Sequence, residues 1–414
     1  MSRIRTALKS LFSRSSTTQI NELEAASLLW PEEPLDRSTA ERGGYYAATP
    51  GEVLNSRYSV LRKLGWGQHS NVWLARDNSE GRHVALKILS AHATSVQGKV
   101  SHELELLKEI RSARLNSRHE GGSRVLQFHD DFSFESHHGR HLCLVTEVLG
   151  PTLDSVKRIF KNNQIPLPMV KDITRQMLSG LDFLHDDCGI IHTDIKPDNI
   201  SVAIEDVEAA LAQEPQRELH AEPDLQKFPI KPVLSQRILI SSGQILPPRE
   251  IRLKLTDFGT AARRDGFHAP IIQPYALRAP EVILGCEWDT SADIWNLGCL
   301  VFEFLTGRWL FVPRAGDTWT AEDYHLAAMP KVAGEPFAID FLRRGQHFHK
   351  YFSDEGHPRI RTDHRDLYHA LCNYQVLGED ELQATVAFLR LMLQLDPSNR
   401  ATARQLLQHE WIAS

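Results

Sequence analysis

The chain has 414 residues, 42% of them hydrophobic and 24% charged, and a formal net charge of −6. That length allows a two-lobed molecule with a sizeable core, and the mildly acidic balance gives no basic footprint for nucleic-acid binding. Five cysteines with no C-x-x-C pair argue against a zinc site or a disulfide framework and for a reducing compartment.

At the start, Arg3, Arg5, Lys9 and Arg14 sit among Ser, Thr, Leu and Phe, with no acid before Glu22. The segment reads as a disordered basic tail; an organellar transit segment is the other reading. Pro31, Pro34, Gly43, Gly44 and Pro50 make residues 1–55 a mostly irregular extension. From Tyr58 the texture changes. Tyr58–Leu64, Asn71–Arg76 and His83–Leu89 are β-rich runs separated by glycine-bearing turns, which predicts an antiparallel sheet. Val100–Arg111 has helical spacing, with Val100, Leu104, Leu107 and Ile110 on one stripe. Strand-like runs return at Val125–Phe132 and Leu142–Glu147. The strongest apolar run, Leu142–Leu149, is interrupted by Thr146 and Glu147 and is too short to cross a bilayer.

After Gly150 the pattern turns helical: Pro168–His185 carries Val170, Ile173, Met177, Leu181 and Leu184 at three- and four-residue steps. The expected class is therefore α+β: a β-rich lobe over 56–149 with one main helix, then a mostly helical lobe over 150–414, with a hinge near Glu147–Leu149. Residues 204–250 read as an insertion, with a short helix at Glu205–Gln213 and strands at Arg237–Ile240 and Ile251–Leu255.

Chemistry-bearing residues fall in a fixed order along this frame. Leu64-Gly65-Trp66-Gly67 and Val72 flank a turn between two predicted strands, where backbone amides can close over phosphates. Ser70 replaces a third glycine, and glycines also mark ordinary hairpins, so this signal is weak alone. Lys87 ends the apolar strand Val84-Ala85-Leu86 and is a candidate for holding phosphates. Its acidic partner should be Glu103, which shares a helical face with Val100, Leu107 and Ile110, whereas Glu105 points with Ser101, Lys108, Glu109 and Ser112. The most specific signal is His192–Asn199: Asp194 can accept a hydroxyl proton, Lys196 can neutralise charge on a transferring phosphoryl group, and Asn199 can hold Mg²⁺. Asp257-Phe258-Gly259 supplies the carboxylate for Mg²⁺. Ala279-Pro280-Glu281 closes the segment that Asp257 begins. Asp293 and Trp295 read as core anchors, and Arg400 as a structural partner for Glu281.

The ordered set resembles the eukaryotic protein kinase signature over about residues 58–412. Leu64-Gly65-Trp66-Gly67, Val72-Trp73-Leu74-Ala75, Glu147-Val148-Leu149-Gly150 after a gatekeeper Thr146, and His192-Thr193-Asp194-Ile195-Lys196-Pro197 resemble the SR-protein kinases. Arg237–Pro248 resembles their compact fungal members. The resemblance implies a bilobal kinase fold, ATP and Mg²⁺ as cofactors, and Ala85, Val72, Leu64, Glu147 and Leu149 around the adenine. It also implies phosphorylation of serines in Arg-Ser-rich splicing factors. A monomer in the cytoplasm or nucleus is expected, with the mitochondrion as an alternative from the N-terminus. Asp317, Glu322 and Asp323 fall in the region that resembles the family's docking insert, and equally read as a solvated acidic surface.

Three departures are evident: Asp257-Phe258-Gly259 where the family often has Asp-Leu-Gly, Ala279-Pro280-Glu281 where it often has Ser-Leu-Glu, and an unlike stretch at Gln273–Arg278. A Clk-type dual-specificity kinase also carries His-Thr-Asp, and a pseudokinase scaffold is the alternative of another class. A small-molecule or lipid kinase of the same fold is disfavoured by Ala279-Pro280-Glu281 and the helices after it. Thr193 replaces the arginine that, in many kinases, binds a phosphorylated activation loop, and only Thr260 carries a hydroxyl in Thr260–Pro270. Activity without activation-loop phosphorylation is the resulting expectation.

Overall fold

The computed structural model describes residues 32–214, 233–238, 251–363 and 365–413. The basic segment at the start, most of the insertion and the Leu239-Ile240 half of one predicted strand lie outside these residues.

The first lobe is built on an antiparallel six-stranded sheet of order β1-β2-β3-β4-β6-β5. Its strands are β1 (Val53–Leu54), β2 (Tyr58–Gly67), β3 (Ser70–Asp77), β4 (Arg82–Leu89), β5 (Phe128–Ser136) and β6 (Gly139–Thr146). Period-two alternation sorts the side chains. Tyr58, Val60, Trp73, Ala75, Leu86, Ile88, Cys143 and Val145 join one apolar cluster on the outer face. Val72, Leu74, Ala85 and Lys87 belong to the other face, with Val72 opposite Lys87 and Leu74 opposite Ala85.

Helix α1 (Ala91–Ser95) leads into α2 (Glu103–Asn116), which buries Leu106, Leu107 and Ile110. The helix begins later than its apolar spacing predicts. Gly98 takes φ +73°, Gln97 and Ser101 form an isolated bridge, and Val100 is 82% exposed. Val100 therefore sits on the turn before the helix, and Leu106 takes its place on the buried stripe.

The described part of the extension, residues 32–55, is mostly irregular but not loose. Ala48, Leu54 and Tyr46 pack on the outer sheet face. Lys63, brought to that face by the bulged register of β2, is fully buried and donates to the carboxylates of both Glu32 (2.7 Å) and Glu33. Residues 233–238 join the same place: Ser235 donates its backbone N–H to Glu32, and Gln236 donates its own to the Lys63 carbonyl at 2.7 Å.

The second lobe starts with β7 (Leu149–Thr152), α3 (Leu153–Lys157) and α4 (Leu167–Asp182). Helix α4 buries Val170, Ile173, Met177 and Leu181 as its spacing predicts, and a π-turn at Phe183–Asp187 continues it. Then come β8 (Ile190–Ile191), β9 (Ile200–Ala203), α5 (Val207–Ala212), β10 (Leu253–Leu255) and β11 (Ala262–Arg263). They form a three-stranded β10-β9-β7 sheet and a β11-β8 pair, which place the loops 192–199 and 256–261 side by side. Helices α6 (Pro280–Leu284) and α7 (Ser291–Thr306) complete the platform. Every residue of α7 after Ser291 is buried, which makes it the central helix of the lobe.

Candidate active site

The cleft between the lobes collects most of the residues singled out by sequence. Lys87, near the end of β4, donates to Glu103 at 2.6 Å and to Asp257 at 2.9 Å. Glu103 stands at the first turn of α2 and is buried. The three groups thus join strand, helix and the loop after β10. Burial works against the charge on Lys87, but the Asp257 and Glu103 carboxylates outweigh it and hold the ammonium pKa above its ordinary range. The Lys87 charge in turn draws Asp257 below the usual carboxylate range, while burial pushes Glu103 up.

Asp257 has φ +63°, a left-handed conformation costly for a residue with a Cβ. This backbone directs its carboxylate to Lys87, with Phe258 buried against the His192 ring.

The loop 192–199 is held by a second such residue. Thr193 has φ +67°, a rare state for a β-branched side chain. Asp293 of α7, fully buried, supports it by accepting the backbone N–H groups of His192 and Thr193, each at 2.8 Å. The Thr193 hydroxyl donates to the Thr260 carbonyl, and His192 Nε2 lies 3.0 Å from the Thr256 carbonyl. So the anchor reading of Asp293 gains a specific content, which no motif spacing displays. On the cleft side, Lys196 donates to Asp194 Oδ2 at 2.7 Å, and Asn199 donates to the same oxygen at 2.8 Å and to the Asp194 carbonyl at 2.9 Å.

Leu64, Gly65 and Gly67 lie on β2, which pairs with β3 up to Gly67 and Ser70. A Cβ placed on Gly67 would meet nothing within 4 Å, so the protein's own packing does not require glycine there. The Tyr45 hydroxyl lies within hydrogen-bonding distance of the Gly67 and Gln68 carbonyls at the loop tip, a contact from the extension that sequence reading missed. Glu147 reaches the hinge by its backbone only: its carboxylate accepts two bonds of 2.7 Å from Lys254. Leu149 opens β7 opposite Ala203. Outside the cleft, Arg400 and Glu281 pair at 2.8 and 3.1 Å with both side chains fully buried. Asp323 does not point at the cleft: it caps α8 (Ala321–Ala333) through Thr320.

The fold and this site define a protein kinase. The protein kinase domain family matches residues 58–212 and 233–412. The chain is 35% identical to the serine/threonine-protein kinase SRPK of Physarum polycephalum, over 90% of each chain. It is 28% identical to protein kinase dsk1 of Schizosaccharomyces pombe (89% of this chain, 83% of that one) and 26% identical to human SRSF protein kinase 3 (92% and 90%). A solved kinase domain superposes with a TM-score of 0.64 at 23% identity, covering 89% of this chain and 99% of that one, which concerns the fold. The chain belongs to the SRPK family of serine/threonine protein kinases. Kinases of this class use ATP and a divalent metal and act on protein substrates.

Proposed function

We propose that this kinase phosphorylates serines in Arg-Ser-rich proteins such as splicing factors, with Asp194, Lys196 and Asn199 as the catalytic group. The observation that supports the chemistry best is the convergence of Lys196 and Asn199 on one oxygen of Asp194. Asp194 then keeps its other oxygen for a substrate hydroxyl, orients the serine and takes its proton as the oxygen attacks the γ-phosphorus and the bond from that phosphorus to the β,γ-bridging oxygen breaks, with ADP as the leaving group. Lys196 stabilises the charge on the moving phosphoryl group.

Lys87, tied to Glu103, orients the α- and β-phosphates of ATP, and the open space over Gly67 accommodates them under the loop backbone. Leu64, Val72, Ala85, the Glu147 backbone and Leu149 surround the adenine. Asp257 engages Lys87 through Oδ1, which leaves Oδ2 as a hard donor, and Asn199 has its amide oxygen in reserve. These donors suit Mg²⁺, which would neutralise charge on the phosphate oxygens.

Activity without activation-loop phosphorylation is part of this reading. Thr193 bonds the Thr260 carbonyl directly, and Arg263 bonds Glu109 of α2 at 2.5–3.1 Å, so an ordered segment stands without a phosphate. The Arg-Ser preference is read from a relative named as an SRSF protein kinase; a cytoplasmic or nuclear setting and a monomeric state are further parts of the same proposal. Among the described residues no helix is long and apolar enough to cross a membrane.

The test uses purified protein, Mg-ATP and a peptide library that includes Arg-Ser repeats. Serines in those repeats should gain phosphate first, and Asp194→Ala should reduce turnover by at least ~10³-fold while ATP affinity changes little. Equal use of basic or proline-directed peptides would remove the substrate assignment. Full turnover by Asp194→Ala would remove the catalytic one.

A further inference from the structure

The short stretch 233–238 takes a path that bears on the cleft itself. It begins on the outer face of the sheet, where Val233 packs with the Tyr58 and Trp73 cluster and its carbonyl accepts from Lys63 at 3.2 Å. It then runs past the edge of β2, where the Gln236 N–H donates to the Lys63 carbonyl and Arg237 is the nearest neighbour of the missing Gly65 side chain. It arrives on the opposite face. Ile238, only 2% exposed, is buried in one cluster with Leu74, Ala85 and Val148, with Leu64 and Val72 packed against it. Five consecutive steps of chain therefore carry an apolar side chain around the sheet edge, from outside to cleft side.

The cluster's other members fix where this side chain sits. Val72, Leu74 and Ala85 share the face that bears Lys87, and Val148 belongs to the hinge. Val207, Ala210 and Leu211 of α5 close the cluster from the insertion side. That helix is itself held on the first lobe, by Arg76 to Glu208 at 2.5 Å, and the chain just after it by a bidentate Arg62–Glu214 pair at 2.7 Å. On the other flank Ser235 bonds Glu32 through both its N–H (2.6 Å) and its hydroxyl (2.8 Å). Ile238 is thus held from both sides against residues that an adenine ring would need.

We propose that residues 233–238 form a displaceable plug at the adenine end of the cleft, so that nucleotide binding competes with Ile238. This rests on the assignment of Leu64, Val72 and Ala85 to the base. An isoleucine buried there is stabilised by transfer from water, and a nucleotide must replace that burial with its own. The apparent affinity for ATP is lowered by the fraction of molecules in which the segment is seated. On the segment itself the hydrogen-bonding anchors are Ser235, half-buried, and Gln236, exposed, whereas the sheet beneath it does not depend on Ile238 for its hydrogen bonds. Displacement can therefore leave the lobe intact. Phosphate on Ser235 would place a dianion against Glu32 and Glu33, and the same repulsion would unseat the segment.

The experiment measures binding of a fluorescent ATP analogue to the full chain in Mg²⁺. Ile238→Ser should tighten binding by roughly three- to tenfold. Gln236→Pro, which removes the N–H given to Lys63 without touching the cleft, should act in the same direction, as should Ser235→Glu. In the unaltered protein, a non-hydrolysable ATP analogue should speed hydrogen exchange at the Gln236 amide. Unchanged or weaker binding by all three variants, or protection of that amide by nucleotide, overturns the plug while leaving the cleft assignment standing. Absence of any nucleotide binding by the unaltered chain overturns both.

Discussion

The loop that carries Asp194 turns through a left-handed Thr193, and one buried carboxylate makes that backbone tolerable. Asp293 accepts two adjacent N–H groups of the loop and lies 2.9 Å from His185 Nε2, so its charge is well solvated by donors inside the lobe. The same logic governs Glu281 and Arg400, a fully buried pair in which Arg400 also donates to the carbonyls of Ser291 and Gln394. Removal of one partner strands the other charge in the core. Arg400→Leu should cost about 3–5 kcal/mol of stability by urea denaturation, whereas the double change Arg400→Leu with Glu281→Leu should recover part of it. A loss below about 1 kcal/mol for the single change would show that the pair is solvated in ways its burial denies. Both carboxylates were visible in sequence as scaffold residues. The Arg400 partner of Glu281 was legible too, but what Asp293 holds was not, since the loop amides it accepts lie about a hundred residues away and follow no period.

At the scale of elements, the strands of the large sheet and the long helix α4 were legible because hydrophobic periodicity reports burial directly, whereas Arg237-Ile238, expected to begin a strand, is irregular. The start of α2 was not. Apolar spacing runs on through Val100, but Gly98 and the Gln97–Ser101 bridge turn the chain first, and that turn depends on tertiary contacts such as the Ser101 hydroxyl to the Gly259 carbonyl. Lys87 nonetheless pairs with Glu103, because two members of the stripe that selected it, Leu107 and Ile110, lie within the helix, while Val100 and Ser101, used in the same comparison, fall before it. The glycine hairpin shows a different limit. Its strands could be read locally, yet its tip is tethered by Tyr45 from a segment that has no pattern at all. Tyr45→Phe deletes only the tether. It should raise the KM for ATP by about two- to fivefold, a loss of the order of one hydrogen bond, with the melting temperature little changed. An unaltered KM would show that the tip is positioned by β2 and β3 alone.

The two lobes are joined electrostatically as well as by the hinge, since Lys87 and Glu103 belong to the first and Asp257 to the second. With Asp257 depressed and Lys87 raised, the pair stays charged across the neutral range. A carboxyl whose pKa falls on folding adds stability above its unfolded value and loses that contribution as pH drops through the folded one. The difference in melting temperature between the unaltered protein and Asp257→Asn should therefore be constant from about pH 6 to pH 9 and shrink below about pH 4. A difference that instead vanished near neutrality would mean that another group titrates in the cleft. The bilobal plan was legible from the order of β-rich and helical runs, and the site from compact motifs with rigid spacing. The insertion was legible only as an interruption, because its contacts with the sheet join residues some 170 positions apart.

Lys63 gives this distance a practical meaning. The kinase family match opens at residue 58, but the countercharges of a lysine inside that match are at 32 and 33. Homology thus draws the border of the catalytic unit inside the border of the unit that can fold: a protein begun at Tyr58 would inherit an ammonium group sealed in the sheet with neither of its two acids, beneath an apolar face stripped of its cover.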